Sequence, residues 1–299
     1  MFKRLIIPLD GSRLSEAVIP TAIYLAQKLN ASVTLVHVIE RNAPKQVHGE
    51  PHLSQVAEAE AYLEEVRRRF PAGVPVEVHV HSTAIVDVGR SIVEHAREFE
   101  SDLVLMCTHG RSGLRKMLFG SIAQQVVAAK VPVLLIHPQK GMAAPVPSGR
   151  RFLIPLDGTE VREAGLPAAR ELARLCGASL KLLMVVPTLH TLSGVESTSR
   201  ILLPATTKEM LAQETEDAKT YLHQWIVRLS GQGTEVSARI RRGDAMESIT
   251  EEAQSLEADL IVMGTSARAG MDAFWSGSVA PRVSERTHLP VLLIPGMSD

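Results

Sequence analysis

Residues 3–12 read KRLIIPLDGS and residues 150–159 read RRFLIPLDGT. The echo continues: VTLVHVI (33–39) answers to LKLLMVV (180–186), SDLVLMCTHGRSG (101–113) to ADLIVMGTSARAG (258–270), and KVPVLLIHP (130–138) to HLPVLLIPG (288–296). Asp10 and Asp157 lie 147 positions apart, as do Val38 and Val185, whereas Gly120 and Gly277 lie 157 apart. An insertion in the second half therefore separates two otherwise collinear copies. So long a period is not that of a solenoid. It is the length of a whole domain, present twice.

Each copy alternates short apolar runs with helical patterns. RLIIPL (4–9) has the length of a buried strand, and 15–29 carries apolar residues at helical spacing, with Pro20 expected to kink or restart the helix. A strand at 33–39, a helix at 53–70, an edge strand at 75–81, a helix near 86–99, a strand at 102–107, a helix after Gly120 and a strand at 131–137 complete the copy. The second half repeats the order, with strands near 151–156, 180–186, 234–240, 259–263 and 290–294. Strands alternating with helices form right-handed crossovers, hence a doubly wound parallel α/β sheet in each half. The expected division is 1–138 and 150–299, joined by the Pro- and Gly-rich linker 139–149. The insertion 188–207 is read as a candidate lid or a tolerated surface loop.

Composition narrows the function. The formal charge is −1, so nothing favours nucleic acid or an anionic membrane as a general partner. Two cysteines, Cys107 and Cys176, make no disulfide framework and suit a reducing, cytoplasmic compartment. Asp10 interrupts the first apolar run before a signal-peptide core can form, and no apolar stretch has the length of a membrane span.

Ligands of such sheets settle beyond the carboxyl ends of the strands, where strand order reverses. That rule points to the segments after strands one, two and four. After strand four the copies read CTHGRSGLRKMLFGSIAQQVV and GTSARAGMDAFWSGSVAPRV. Glycines let a backbone approach phosphate, and a Gly-Ser pair opens a helix whose free N–H groups attract an anion. Ser121 and Ser278 can equally be mere helix caps. Asp10 and Asp157 fit a contact to ribose or Mg²⁺, or a turn that starts the next helix, and the two roles are compatible. His79 and His81 share one face of a strand, but no third ligand is evident nearby, which favours a solvated pair over a metal site.

These loops resemble those of the universal stress protein family, and the likeness runs through both halves. Its nucleotide-binding members carry G-x2-G-x9-G-[ST] after strand four and an Asp after strand one. Here the motif stands as Cys107-x2-Gly110-x9-Gly120-Ser121 and as Gly264-x2-Ala267-x9-Gly277-Ser278, with Asp10 and Asp157 in the acidic position. The resemblance implies a flavodoxin-like or adenine nucleotide alpha hydrolase-like fold and ATP, with or without Mg²⁺, as ligand. Adenine would lie against the backbone of Val38 or Val185. Pro8, Asp10, Ser12, Cys107, His109, Gly110, Arg111, Gly120, Ser121 and Ile122 would surround the first nucleotide. Pro155, Asp157, Thr159, Gly264, Ala267, Arg268, Gly277, Ser278 and Val279 would surround the second. Cys107 and Ala267 depart from the motif, so each pocket carries one added side chain. Neither loop offers the P-loop pattern G-x4-G-K-[ST] or a general base, so no catalytic residue is assigned and hydrolysis is expected to be slow or absent. The resemblance also implies pairing through the fifth strands, which are apolar enough in both copies to form an internal pseudo-dimer, with a homodimer of such chains as the runner-up geometry. The alternative is an interaction scaffold that keeps degenerate pockets.

Overall fold

A computed structural model of the chain describes residues 1–47, 49–108, 121–138, 149–191, 204–231, 233–266 and 278–296. In the first half, β1 (Arg4–Pro8) lies beside β2 (Ser32–Glu40) in parallel register, Leu5 opposite Val33 and Ile7 opposite Leu35. Leu5, Ile6 and Ile7 are fully buried, because a strand covered on both faces must be apolar at every position. Leu5 and Ile7 join one apolar cluster and Ile6 the other. Between the strands a 3-10 turn at Ser15–Val18 hands over to α1 (Ile19–Leu29). Pro20 occupies the first turn of that helix, where its missing N–H costs nothing, so it restarts the helix as expected.

A short hairpin unmarked by sequence pattern follows, β3 (Gln46–Val47) against β4 (Glu50–Pro51). Then come α2 (Val56–Arg67), β5 (Val76–Ile85), α3 (Val88–Glu98), β6 (Leu103–Cys107), α4 (Ser121–Ala128) and β7 (Val133–Ile136). The second half runs β8 (Arg151–Leu156), α5 (Glu160–Glu163), α6 (Gly165–Cys176), β9 (Ser179–Val186), α7 (Pro204–Leu229), β10 (Val236–Arg242), α8 (Ala245–Ser255), β11 (Leu260–Ser266), α9 (Val279–Arg286) and β12 (Val291–Gly296).

The ten strands form one sheet, ordered β10-β9-β8-β11-β12-β7-β6-β1-β2-β5. Counted within a half, both copies run 3-2-1-4-5. The doubly wound parallel class is as expected, but the reversal falls between strands one and four, whereas the flavodoxin order 2-1-3-4-5 reverses between one and three. The single antiparallel junction joins β12 to β7. There Leu292 faces Leu134, and Leu293 faces Val133 while Val291 faces Leu135. Leu134 and Leu292 are equivalent positions of the two copies, so the junction is self-complementary, as a two-fold interface is. One apolar cluster, containing both Leu134 and Leu292, runs through it.

Candidate functional site

The first cleft opens where β1 and β6 diverge. Asp10 follows β1, and its Oδ1 accepts hydrogen bonds from the Ser12 amide (2.9 Å) and the Ser12 hydroxyl (2.6 Å). The Ser12 hydroxyl in turn accepts from the Ser15 amide at 3.2 Å, and the Ser15 hydroxyl donates to the Ser12 carbonyl at 2.8 Å. This is the turn-forming role. It needs Gly11, at φ +87°, and a Cβ there would also strike Leu53. Asp10 keeps one oxygen in reserve: among the described residues nothing donates to its Oδ2.

Cys107, the last residue of β6, stands on the other wall. Its Sγ lies 3.5 Å from the Ser15 carbonyl, under the 3-10 turn. Burial, and secondarily the nearby Asp10 carboxylate, pushes its thiol pKa well above the ordinary range. It packs as a small apolar side chain.

The second cleft repeats the turn and then closes it. Asp157 Oδ1 accepts from the Thr159 amide (3.0 Å) and hydroxyl (2.6 Å). Its Oδ2 is taken by Arg162 Nε at 3.2 Å, and Arg162 Nη1 donates to the Gly264 carbonyl at 2.7 Å. Arg162 holds the place that Ser15 holds in the first copy. α5 presses onto the strand ends: a Cβ on Gly264 would collide with the Val161 and Arg162 carbonyls, and one on Gly296 would meet Val161 Cα at 2.9 Å.

The remaining expectations divide. Pro8 closes β1 beside Val36, and Pro155 lies in β8 beside Leu183. Val38 is buried near the end of β2, and Val185 takes the same place in β9. Ile122 and Val279 lie in the first turns of α4 and α9. Ser121 begins α4. Ser278 precedes α9 but does not cap it; its hydroxyl is buried and has no partner among the described residues. His109, Gly110, Arg111, Gly120, Ala267, Arg268 and Gly277 lie outside the described residues, as do most of the linker and of the insertion.

Three features escaped the sequence reading. The β3–β4 loop covers the Asp10 turn: Glu50 Oε2 accepts from the Arg13 amide at 2.6 Å, and His37 bridges the carbonyls of Leu9 (2.8 Å) and Leu53 (3.2 Å). His52 is held beside this cover, its pKa lowered chiefly by burial and then by His37. Asp102 and Asp259, repeated in sequence, each receive two main-chain amides at the start of the first strand, Lys3 and Arg4 in one copy and Arg150 and Arg151 in the other. Their repetition reports architecture.

The third feature corrects the reading of the strand histidines. His79 and His81 do meet a third histidine, His95 of α3, and one ring nitrogen from each lies within 4.8 Å of the others. The pKa of His79 is lowered, by burial first and then by His95. The missed signal was available: His95 lies on the helix face of Ile92, Val93 and Ala96, which turns inward.

Among the described residues no helix is long and apolar enough to cross a membrane. The sequence profile of the universal stress protein family matches residues 1–137 and again 149–295. A universal stress protein of Mycolicibacterium smegmatis is 25% identical over 309 aligned residues, covering 97% of this chain and 96% of its own. A universal stress protein of Methanocaldococcus jannaschii is 28% identical over 144 residues, covering 47% of this chain and 85% of its own. The crystal structure of a universal stress protein from Archaeoglobus fulgidus superposes with a TM-score of 0.69, covering 98% of this chain and 96% of its own at 19% identity, a likeness of fold. The chain belongs to the universal stress protein family and carries its domain twice.

Proposed function

We propose that this chain is a stress-response regulator that binds one adenine nucleotide, ATP, in its first copy. The asymmetry of the paired acids carries the reading: Asp10 Oδ2 has no described donor, while Asp157 Oδ2 is occupied by Arg162. A carboxylate oxygen with no donor among the described residues, at the reversal of strand order, suits the hydroxyls of a ribose or a Mg²⁺ held jointly with phosphates. In this reading Pro8, Asp10, Ser12 and the Val38 backbone hold the nucleoside. The main chain of 107–121, with His109, Arg111 and the Ser121–Ile122 helix start, holds the phosphates. Mg²⁺, when bound, would neutralise phosphate charge; the chain's own groups bind and orient. Hydrolysis is slow or absent, and the protein acts in the cytoplasm. In the second copy Pro155, Asp157, Thr159, Val185, Gly264, Ala267, Arg268, Gly277, Ser278 and Val279 form a pocket kept for architecture, in which Arg162 stands where the nucleotide would.

Calorimetric titration of the full chain with ATP and Mg²⁺ tests this. One equivalent is expected, abolished by Gly120→Val and unaffected by Gly277→Val. Asp10→Asn should weaken binding about tenfold, the equivalent of about 1.4 kcal/mol. An absence of binding, or unchanged affinity in Gly120→Val, overturns the reading.

A further inference from the structure

The outer strand of the first half and the helix packed on it place three imidazoles together, apart from the cleft just described. His79 and His81 project from the same face of β5, since alternate residues of a strand do. His95 meets them from α3, itself buried. The ring of His81 stands perpendicular to that of His95 with centroids 5.0 Å apart. His95 Nδ1 lies 2.7 Å from the Ser91 carbonyl, and a carbonyl can only accept, so this nitrogen carries the proton. Neutral His95 therefore presents an unprotonated Nε2, and that atom is 3.0 Å from His79 Nε2. A metal-binding histidine is typically oriented this way, its second nitrogen bonded to a backbone carbonyl.

The second copy shows what the position needs if it serves packing alone. There Arg239, Arg241 and Glu252 stand where His79, His81 and His95 stand in the first. Glu252, buried, receives Arg239 Nη1 at 3.2 Å and Arg241 Nη1 at 3.4 Å. Arg241 also pairs with Glu251 at 2.6 Å, so with that second acid the set balances its own charge. The histidine set has no acid among its three members, and a cation held by all three lone pairs would satisfy it together.

We infer that His79, His81 and His95 form a binding site for a divalent first-row metal of the zinc class, with a fourth position open to water. Imidazole nitrogens suit zinc, copper and nickel and not magnesium or calcium, which take oxygen. Tetrahedral zinc with Zn–N near 2.0–2.1 Å needs ligand nitrogens about 3.3 Å apart. The His79–His95 pair at 3.0 Å is within a few tenths of that. The other spacings, within 4.8 Å, exceed that separation by at most about 1.5 Å, which binding would have to close by side-chain rotation. The part-exposed faces of His79 and His81 give the ion a way in, and three histidines with an open fourth position are the ligand count of hydrolytic rather than purely structural zinc.

The test uses the full chain, freed of metal by chelator and desalted, titrated with zinc against a chromophoric competitor. Cobalt(II) serves as a spectroscopic substitute. One equivalent of zinc should bind, and cobalt should give the intense visible bands of tetrahedral nitrogen coordination. His81→Gln and His79→Gln, each confirmed as folded by circular dichroism, should lose at least about a hundredfold in affinity, beyond the 10- to 100-fold typical of outer partners. Should His95→Gln fail to fold, the two strand variants decide. A native chain that binds no zinc, or strand variants that bind it unchanged, overturns the inference.

Discussion

Two equivalent places in the two halves, compared atom by atom, have drifted in opposite senses. At the cleft, the first copy has Ser15 and the second Arg162, so Asp157 is tied down while Asp10 Oδ2 has no donor among the described residues. At the outer strand the first copy has three histidines and the second an Arg–Glu–Arg set. In both places the second copy answers its own charges internally, and the first leaves groups that something from outside could answer. On the proposed reading, a domain whose fold is secured by its sheet can lose a pocket after duplication once a side chain such as Arg162 ties up its acid.

The sharpest way to break this comparison is steric. Cys107 and Gly264 hold equivalent positions in β6 and β11, yet the first accommodates a side chain against the Ser15 carbonyl and the second has none to spare beneath α5. Gly264→Ala is expected to destabilise the protein by about 3 kcal/mol, the upper end for overpacking, because backbone rather than a flexible side chain must yield. Cys107→Ala should cost only about 1 kcal/mol, as a small buried truncation does. Urea denaturation of both variants measures the difference, and equal losses would mean that the two positions are packed alike.

Next in size is the ionic set. Glu252→Gln removes the buried acid between Arg239 and Arg241, leaving Arg241 its partner Glu251 and Arg239 without its partner in this set. The loss of a buried partner costs about 3–5 kcal/mol when the survivor is sealed in. Arg239 and Arg241 reach solvent, with side chains 56% and 28% exposed, so about 2 kcal/mol is the expectation, again from denaturation. His95→Gln should cost less in metal-free protein, since it strands no charge.

A third variant sharpens the comparison at the cleft. Arg162→Ala releases Asp157 Oδ2 and should raise nucleotide stoichiometry from one to two, while stability changes by no more than about 1 kcal/mol, as for other part-exposed pairs. Calorimetry that still gives one equivalent would show that Ala267 or the α5 contact, and not the arginine, closes the second site.

The smallest expected effect is alkaline. Both thiols have raised pKa values, Cys107 and Cys176 alike chiefly through burial. The unfolded chain gives up these protons near the ordinary thiol pKa of about 8.5, while the folded chain retains them. Stability is therefore full below that pH and declines as pH rises above it. Denaturation midpoints at pH 7.5 and 9.5 should show the decline, and Cys107→Ala should lessen it.

How much of this the sequence disclosed follows from the range of each interaction. Strand positions and the restart at Pro20 were legible because apolar runs and helix breakers are local patterns, whereas the pairing of the fifth strands was expected from the family resemblance together with their apolar composition. The turn at Asp10-Gly11-Ser12 was legible as one of two roles for the same local reason. The double bonding of Arg162 was invisible: it lies five residues from Asp157 but 102 from the Gly264 carbonyl it also binds. His95 was missed because only packing of α3 on β5 brings it to His79, 16 residues earlier. The β3–β4 hairpin is too short for any periodicity to mark.

The junction of β7 with β12 has a bearing on assembly that outlasts any question of ligand. It spends the self-complementary edge of each domain inside one molecule. Only β5 and β10 remain as rims of the sheet. Both rims are lined with ionisable side chains, Glu77, His79 and His81 on one and Arg239, Arg241 and Arg242 on the other, a make-up that discourages strand-to-strand addition. The edge each domain would offer a second copy is therefore already used within the chain.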